Sequence, residues 1–251
     1  MPARRRPARR TVPSGEAGRR FPGFDVLDQS DAWDPATAAT VHQRLQLQPD
    51  LRYFTPVEEA CAGALLDRLL AQDGPPERPK VPVLQMIDAR LAEARTDGWR
   101  YRDMPEDGEA WRASLRALDE DAADRYGAPF AALDPDRQRA LVQAVQDLRG
   151  KPWHGMPAAH VWSLWTRYAC TAFYAHPWSW NEIGFGGPAY PRGYARLGVG
   201  ARERWEHPDA DPADPAGPAP GGDGADDGPA DHGPHGHDSA DDSPADRKDR
   251  T

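Results

Sequence analysis

Cysteine is almost missing from this chain of 251 residues: Cys61 and Cys170 are its two examples, far apart and outside any Cys-x-x-Cys pair. That excludes a disulfide framework and removes support for a cysteine-based zinc or iron–sulfur site. Each lies in a helical pattern among apolar neighbours, where cysteine is expected as a small buried hydrophobe. No run of 18 apolar residues occurs, which excludes an ordinary transmembrane helix. Strand signals are equally scarce, with no alternating β-branched run and no Asn-Gly hairpin turn, so the fold class expected is all-α. The arginine pairs near the start precede no apolar stretch. Thr11 to Phe24 instead contains Pro13, Gly15, Glu16 and Gly18, so no export signal is read and a cytoplasmic location is expected.

What is abundant is proline and charge. With 27 prolines and a mean hydropathy of −0.81, the ordered part must be smaller than the chain. From Glu206 onward 13 acidic side chains face 3 basic ones, whereas seven arginines in the first 20 residues face only Glu16. Residues 1–20 therefore read as a disordered basic arm and 207–251 as a disordered acidic tail of Asp, Pro, Ala and Gly, framing one domain over 21–206. The stretch between the flanks is only mildly acidic, and nothing in its charge points to nucleic acid.

Punctuation locates the helices. Asp34 before Pro35 is an N-cap with proline at the first helical position, followed by Val41 and Leu45. Thr55, Pro56 and Glu58 spell a capping box ahead of Val57, Cys61, Leu65 and Leu69 at steps of four. After the proline-rich turn at 74–79, Val83, Ile87 and Leu91 form one stripe, and Trp111, Leu115, Leu118 and Ala122 form another. Asp134 and Pro135 repeat the cap ahead of Leu141, Val145 and Leu148, with Gly150 as the exit. The segment 158–174 is apolar on nearly all sides, which places it at the centre of the bundle or under another protein.

Beyond it runs FYAHPWSWNEIGFGGPAYPRGYARLG, from Phe173. Its glycines and prolines predict irregular structure to Gly193, yet Trp178, Trp180, Phe185, Tyr190 and Tyr194 carry too much aromatic surface for a solvated loop. The segment should wrap over a surface, either its own bundle or a partner's. Trp178, Trp180, Phe185, Tyr190, Arg192 and Tyr194 are the candidate interface residues. His176, Asn181 and Glu182 are the candidate polar residues: His176 is expected to cap a helix end, Asn181 and Glu182 to bond backbone groups, and Glu182 to have Arg192 as a possible ion-pair partner.

The run HPWSWNEIGFGGPAYPRGY (176–194) resembles the signature of the gluconate 2-dehydrogenase subunit 3 family. The similarity extends to VWSLWTRYACTAFY (161–174), to YFTPVEEACAGALLDRLL (53–70) and to the opening FPGFDVLDQSDAWDP (21–35). The resemblance implies a helical, non-catalytic small subunit that stabilises, matures or helps export a large FAD-bearing dehydrogenase of the glucose-methanol-choline type, often accompanied by a cytochrome subunit. It implies no catalytic, cofactor or metal residue on this chain, with FAD on the partner. The competing reading is a free-standing helical-bundle metal-dependent oxidase using His176, Glu182 and His154. Such bundles need carboxylates at Glu-x-x-His spacing, and the sequence has no such motif.

Other chemistry is weaker still. GFGG (184–187) follows a helix and leads into prolines, whereas a dinucleotide fingerprint needs a strand before it and a helix after it. His154 and His160 lack the helical i, i+4 spacing of a zinc pair. His232, His235 and His237 suit incidental metal capture. A tail so poor in apolar area contributes little to folding. Removing 207–251 is therefore expected to leave the thermal midpoint and the helical circular dichroism nearly unchanged, and a loss of several degrees would refute this.

Overall fold

Among the described residues, seven α-helices and one minimal hairpin account for the regular structure, apart from two 3-10 turns. The structure is a computed structural model describing residues 21, 24–46, 50–72, 74, 80–196, 198, 201, 203, 205 and 206. The arm, the tail and the histidines at 232, 235 and 237 lie outside the described residues. In chain order the elements are a 3-10 segment Val26–Ala32, then α1 Pro35–Gln46, α2 Pro56–Leu69, α3 Val83–Ala92 and α4 Asp107–Tyr126. A 3-10 turn Phe130–Ala132, α5 Pro135–Asp147, β1 Pro152–Trp153, β2 Met156–Pro157, α6 Ala158–Tyr174 and α7 Pro177–Ile183 complete them. The chain is all-α as its patterning predicts.

The caps are the ones the sequence spells. Asp34 Oδ1 accepts from the Ala36 and Thr37 amides at 3.0 and 3.3 Å. Thr55 and Glu58 form the full capping box of α2, and Asp134 accepts from the Asp136 and Arg137 amides at the start of α5. Each satisfies donors that the first helical turn leaves unpaired. The predicted stripes of α3 and α4 are buried.

Four expectations need correction. Val57 is 68 % exposed although it stands four residues before buried Cys61, because a step of four overshoots one helical turn and the row drifts around α2 away from the packed side. Cys170 is exposed whereas Cys61 is buried, since an apolar stretch of sequence does not say which edge of α6 stays uncovered. The left-handed residue closing α5 is Arg149, with φ 54°, and not Gly150. Finally, the segment after His176 is not irregular throughout: Pro177 starts a new helix, as proline at a first helical position can.

The hairpin had no recognised signal because its turn is His154-Gly155, with φ of 45° and 81°. Both residues take positive φ, as a type I′ turn requires, but histidine stands where asparagine is usual. It pairs Trp153 with Met156 and delivers Trp153 into the core.

Helix α6 packs against α2, α3, α4, α5 and α7. Its buried residues Val161, Leu164, Trp165, Tyr168, Ala169 and Ala172 meet Trp111, Leu115 and Leu118 of α4 within the main cluster. Trp165 donates to Ser114 Oγ at 2.9 Å, and that hydroxyl donates to the Trp111 carbonyl. Tyr168 donates to Asp107 at 2.6 Å, and burial followed by this bond pushes its phenol well above the usual range.

The approach to α2 is held by one side chain. Asp88 of α3, 1 % exposed, accepts from the backbone amides of Arg52, Tyr53 and Phe54 at 2.6, 2.8 and 2.9 Å. Hydrogen bonds to an ionised group are the stronger kind, and stranding three amides would add a desolvation cost. Asp88→Ala is expected to cost roughly 3 kcal/mol in urea denaturation, with Asp88→Asn in between. An unchanged midpoint would refute this role.

Candidate partner surface

The aromatic segment begins where α6 stops. His176 has extended backbone and caps α7, its Nδ1 accepting from the Trp178 amide at 3.2 Å while Pro177 takes the first helical position. Ser179 Oγ, donating towards the carbonyls of Phe173 and His176, ties the new helix to the old one. Gly184, with φ 68°, closes α7 in the left-handed conformation that glycine tolerates best.

The candidate rings then separate by environment. Trp180 is only 5 % exposed: its Nε1 donates to the Tyr174 carbonyl at 2.6 Å, and it joins Val26, Trp33 and Val41 in a second, smaller core. Trp178 is half-buried against the main core. Phe185 stands edge-on to Trp180 and remains partly exposed, while Tyr190 is 68 % exposed and Tyr194 about half. Tyr174 and Ile183 add to the uncovered apolar surface. The wrap thus faces both ways, with Trp180 inward and Phe185, Tyr190 and Tyr194 outward.

The polar residues serve the chain's own packing. Asn181 is buried, its Oδ1 accepting from the Val26 amide at 2.8 Å and its Nδ2 donating to Asp25 at 3.3 Å. This is the backbone-bonding role read from the sequence. Arg192 donates to Gln29 and to the carbonyls of Gly186 and Pro188, and its guanidinium lies over the Trp205 ring at 3.9 Å. The Arg192 charge is therefore met within the wrap, and Glu182 lies exposed on α7.

The glycine pair explains itself at close range. A Cβ on Gly187 would stand 2.6 Å from the Trp33 ring and 3.0 Å from Val26, and one on Gly186 would stand 2.8 Å from Trp205. GFGG is therefore a cradle for two indoles, where any side chain would collide. Trp33, Val26, Gln29 and Trp205 complete this site, and their part in it had no local signal. The surplus of rings between 173 and 194 was the indirect one.

Two histidines elsewhere, His154 and His160, are engaged with carboxylates. His154 meets Asp121 at 2.8 Å and Glu120 at 3.3 Å. His160 bonds Asp103 at 2.9 Å and stacks on Tyr101 at 3.7 Å. Among the described residues no group of three or more His, Cys, Asp or Glu side chains is placed to hold a metal ion.

The sequence model of gluconate 2-dehydrogenase subunit 3 matches residues 56–187, just over half of the chain. The chain belongs to that family. The match runs from the first residue of α2 to the second glycine of the indole cradle, so the family domain comprises α2 to α7. The segment carrying Val26 and Trp33, and the wrap beyond Gly187, lie outside the matched region. No curated protein and no solved structure matches the chain.

His176 supplies a pH test. Its imidazole is 1 % exposed, and burial, outweighing a hydrogen bond to the Arg44 backbone and helped by the Arg44 charge, pushes its pKa from 6.5 down to about 4. Unfolded, the ring takes a proton near pH 6.5; folded, it resists until about pH 4. Its contribution is complete above pH 6.5 and falls as pH drops towards 4, by roughly 3 kcal/mol in all. His176→Asn, which keeps a capping acceptor, is expected to flatten that part of the stability profile in urea titrations. An equal slope in both proteins would refute the assignment.

Proposed function

We propose that this chain is a non-catalytic small subunit that binds a large FAD-bearing dehydrogenase of the glucose-methanol-choline type and stabilises or matures it, the complex oxidising gluconate or a related sugar or polyol. The observation that carries this reading is family membership over α2–α7. The family name is that of one subunit of a dehydrogenase, so the association belongs to the family and the chemistry is assigned here to the partner. FAD is expected on the large subunit, and a cytochrome subunit is a further candidate member. Among the described residues no helix is long and apolar enough to cross a membrane.

The surface is consistent with such a role. Large rings left exposed beside a rigid, glycine-shaped backbone lose little conformational freedom on docking, and aromatic residues with arginine are enriched at the energetic centres of interfaces. Tyr190, Tyr194 and Phe185 supply the rings, joined by Tyr174 and Ile183. The other reading, a metal-dependent oxidase, would use His176, Glu182 and His154. His176 Nδ1 is committed to capping α7 and His154 lies between Asp121 and Glu120, so no observation favours that reading.

Co-expression with a large FAD-bearing dehydrogenase of the glucose-methanol-choline type from the same source tests the proposal. The free chain is expected to be colourless and inactive towards sugar acids with a dye acceptor, and a stoichiometric yellow cofactor on it would refute the assignment. Tyr190→Ala and Phe185→Ala should weaken co-purification while leaving the free chain within about 0.5 kcal/mol of wild type. Trp180→Ala should instead destabilise the free chain by roughly 3–5 kcal/mol. If the outward rings can be removed without effect on association, the interface lies elsewhere.

A further inference from the structure

We propose that residues 24–46 form a strap that releases from α7 as a unit while the bundle α2–α6 stays folded, and that the α7 face beneath it is an interaction surface the free chain covers with its own segment. This does not depend on the identity of the large subunit.

The hydrophobic interior is divided. The main cluster, including the rings and methyls packed on its edge, draws its members from residues between Tyr53 and Trp178 and takes none from the strap. The strap contributes instead to the separate cluster of Val26, Trp33, Val41 and Trp180, edged by Phe24, Leu27 and Ala38. Trp180 is the one member of that cluster outside the strap. A segment whose buried area is pooled with one ring of a seven-residue helix can leave without opening the larger core, which is how cooperative units of differing stability arise within a domain.

The polar contacts agree. The strap is tied by Val26 and Asp25 to Asn181, by Arg44 to the Ala175 carbonyl at 2.9 Å and by Gln29 to Arg192 at 3.1 Å. Trp33 Nε1 in the strap and Arg192 Nε, on the residue that grips it, are buried without a hydrogen-bond partner among the described residues, as Trp111 Nε1 and Arg167 Nε are in the bundle. The docked strap therefore carries an unbonded indole N–H that opening would return to water. The strap also lies outside the part of the chain that matches the family, which starts at residue 56.

Its present occupant defines what the face accepts. Asn181 Oδ1 takes a backbone N–H, Trp180 takes a branched apolar side chain, and the Gly187 notch takes an indole. A protein segment coiled as a short 3-10 helix, with a β-branched residue and a tryptophan seven positions apart as Val26 and Trp33 are, meets those demands.

Hydrogen–deuterium exchange of the full chain reads the opening directly. Amides of residues 26–46 are expected to exchange together and at least about 100-fold faster than those of α4 and α6. Trp33→Ala should speed the strap and α7 by a further factor of about 10, leave α4 unchanged, and let a labelled peptide of residues 24–46 bind saturably and more tightly than to the unaltered chain. Should that variant not fold, Asn181→Ser removes the bonds to Val26 and Asp25 and is read in the same way. Strap amides exchanging at the rate of α4, or α4 accelerating equally in the variant, would overturn the strap. Opening without saturable peptide binding would overturn the interaction surface.

Discussion

A helix that is apolar on nearly every side has to be surrounded, and the architecture follows from satisfying α6. Five helices meet it, and its two largest fully buried rings, Trp165 and Tyr168, are sealed by hydrogen bonds to Ser114 and Asp107 of α4. A buried indole or phenol without a partner costs stability, so these two bonds hold α6 and α4 in one register. The neighbours then need fixing to each other. Asp88 does this between α3 and the entry to α2 by gathering three amides on one carboxylate. What α6 does not resolve is its own C-terminal end, where the chain turns at His176 and the second core begins.

How much of this was legible depended on whether the controlling interaction was local. Asp34, Thr55 with Glu58, and Asp134 act within three residues of themselves, and the helix starts they predict are the ones observed. The apolar stripes of α3 and α4 depend only on helical spacing and were equally plain. The exposed side of α6 was not, because which edge stays open is decided by neighbours distant in sequence, and Cys170 fell on that edge. The hairpin failed for another reason, since His154 adopts a backbone conformation more usual for asparagine or glycine.

The aromatic segment shows both limits together. Its surplus of rings pointed to a covered surface, and Trp180 is covered while Tyr190 is not. What covers Trp180 is a segment some 150 residues earlier in the chain, which no local pattern could announce. The glycines were read as loop formers, and at Gly184 and Gly187 the positive φ bears that out. At Gly186 and Gly187 they are also required for close approach, with Trp205 against one and Trp33 against the other. A motif that resembles a phosphate loop on paper is in space a seat for indole rings.

The two cysteines differ in a way that has a practical consequence. Cys61 is enclosed between α2 and α4, its sulfur directed to the Leu115 carbonyl at 3.6 Å, and burial pushes its thiol well above the usual range. Cys170 is exposed on α6, one helical turn before Tyr174. A thiol reagent therefore meets one open address on the native chain, and a dye or spin label placed there rides on the central helix without any engineered substitution. Because that helix belongs to the matched family domain, such a label watches the open edge of the bundle itself, where a change of environment registers whatever comes to rest against it.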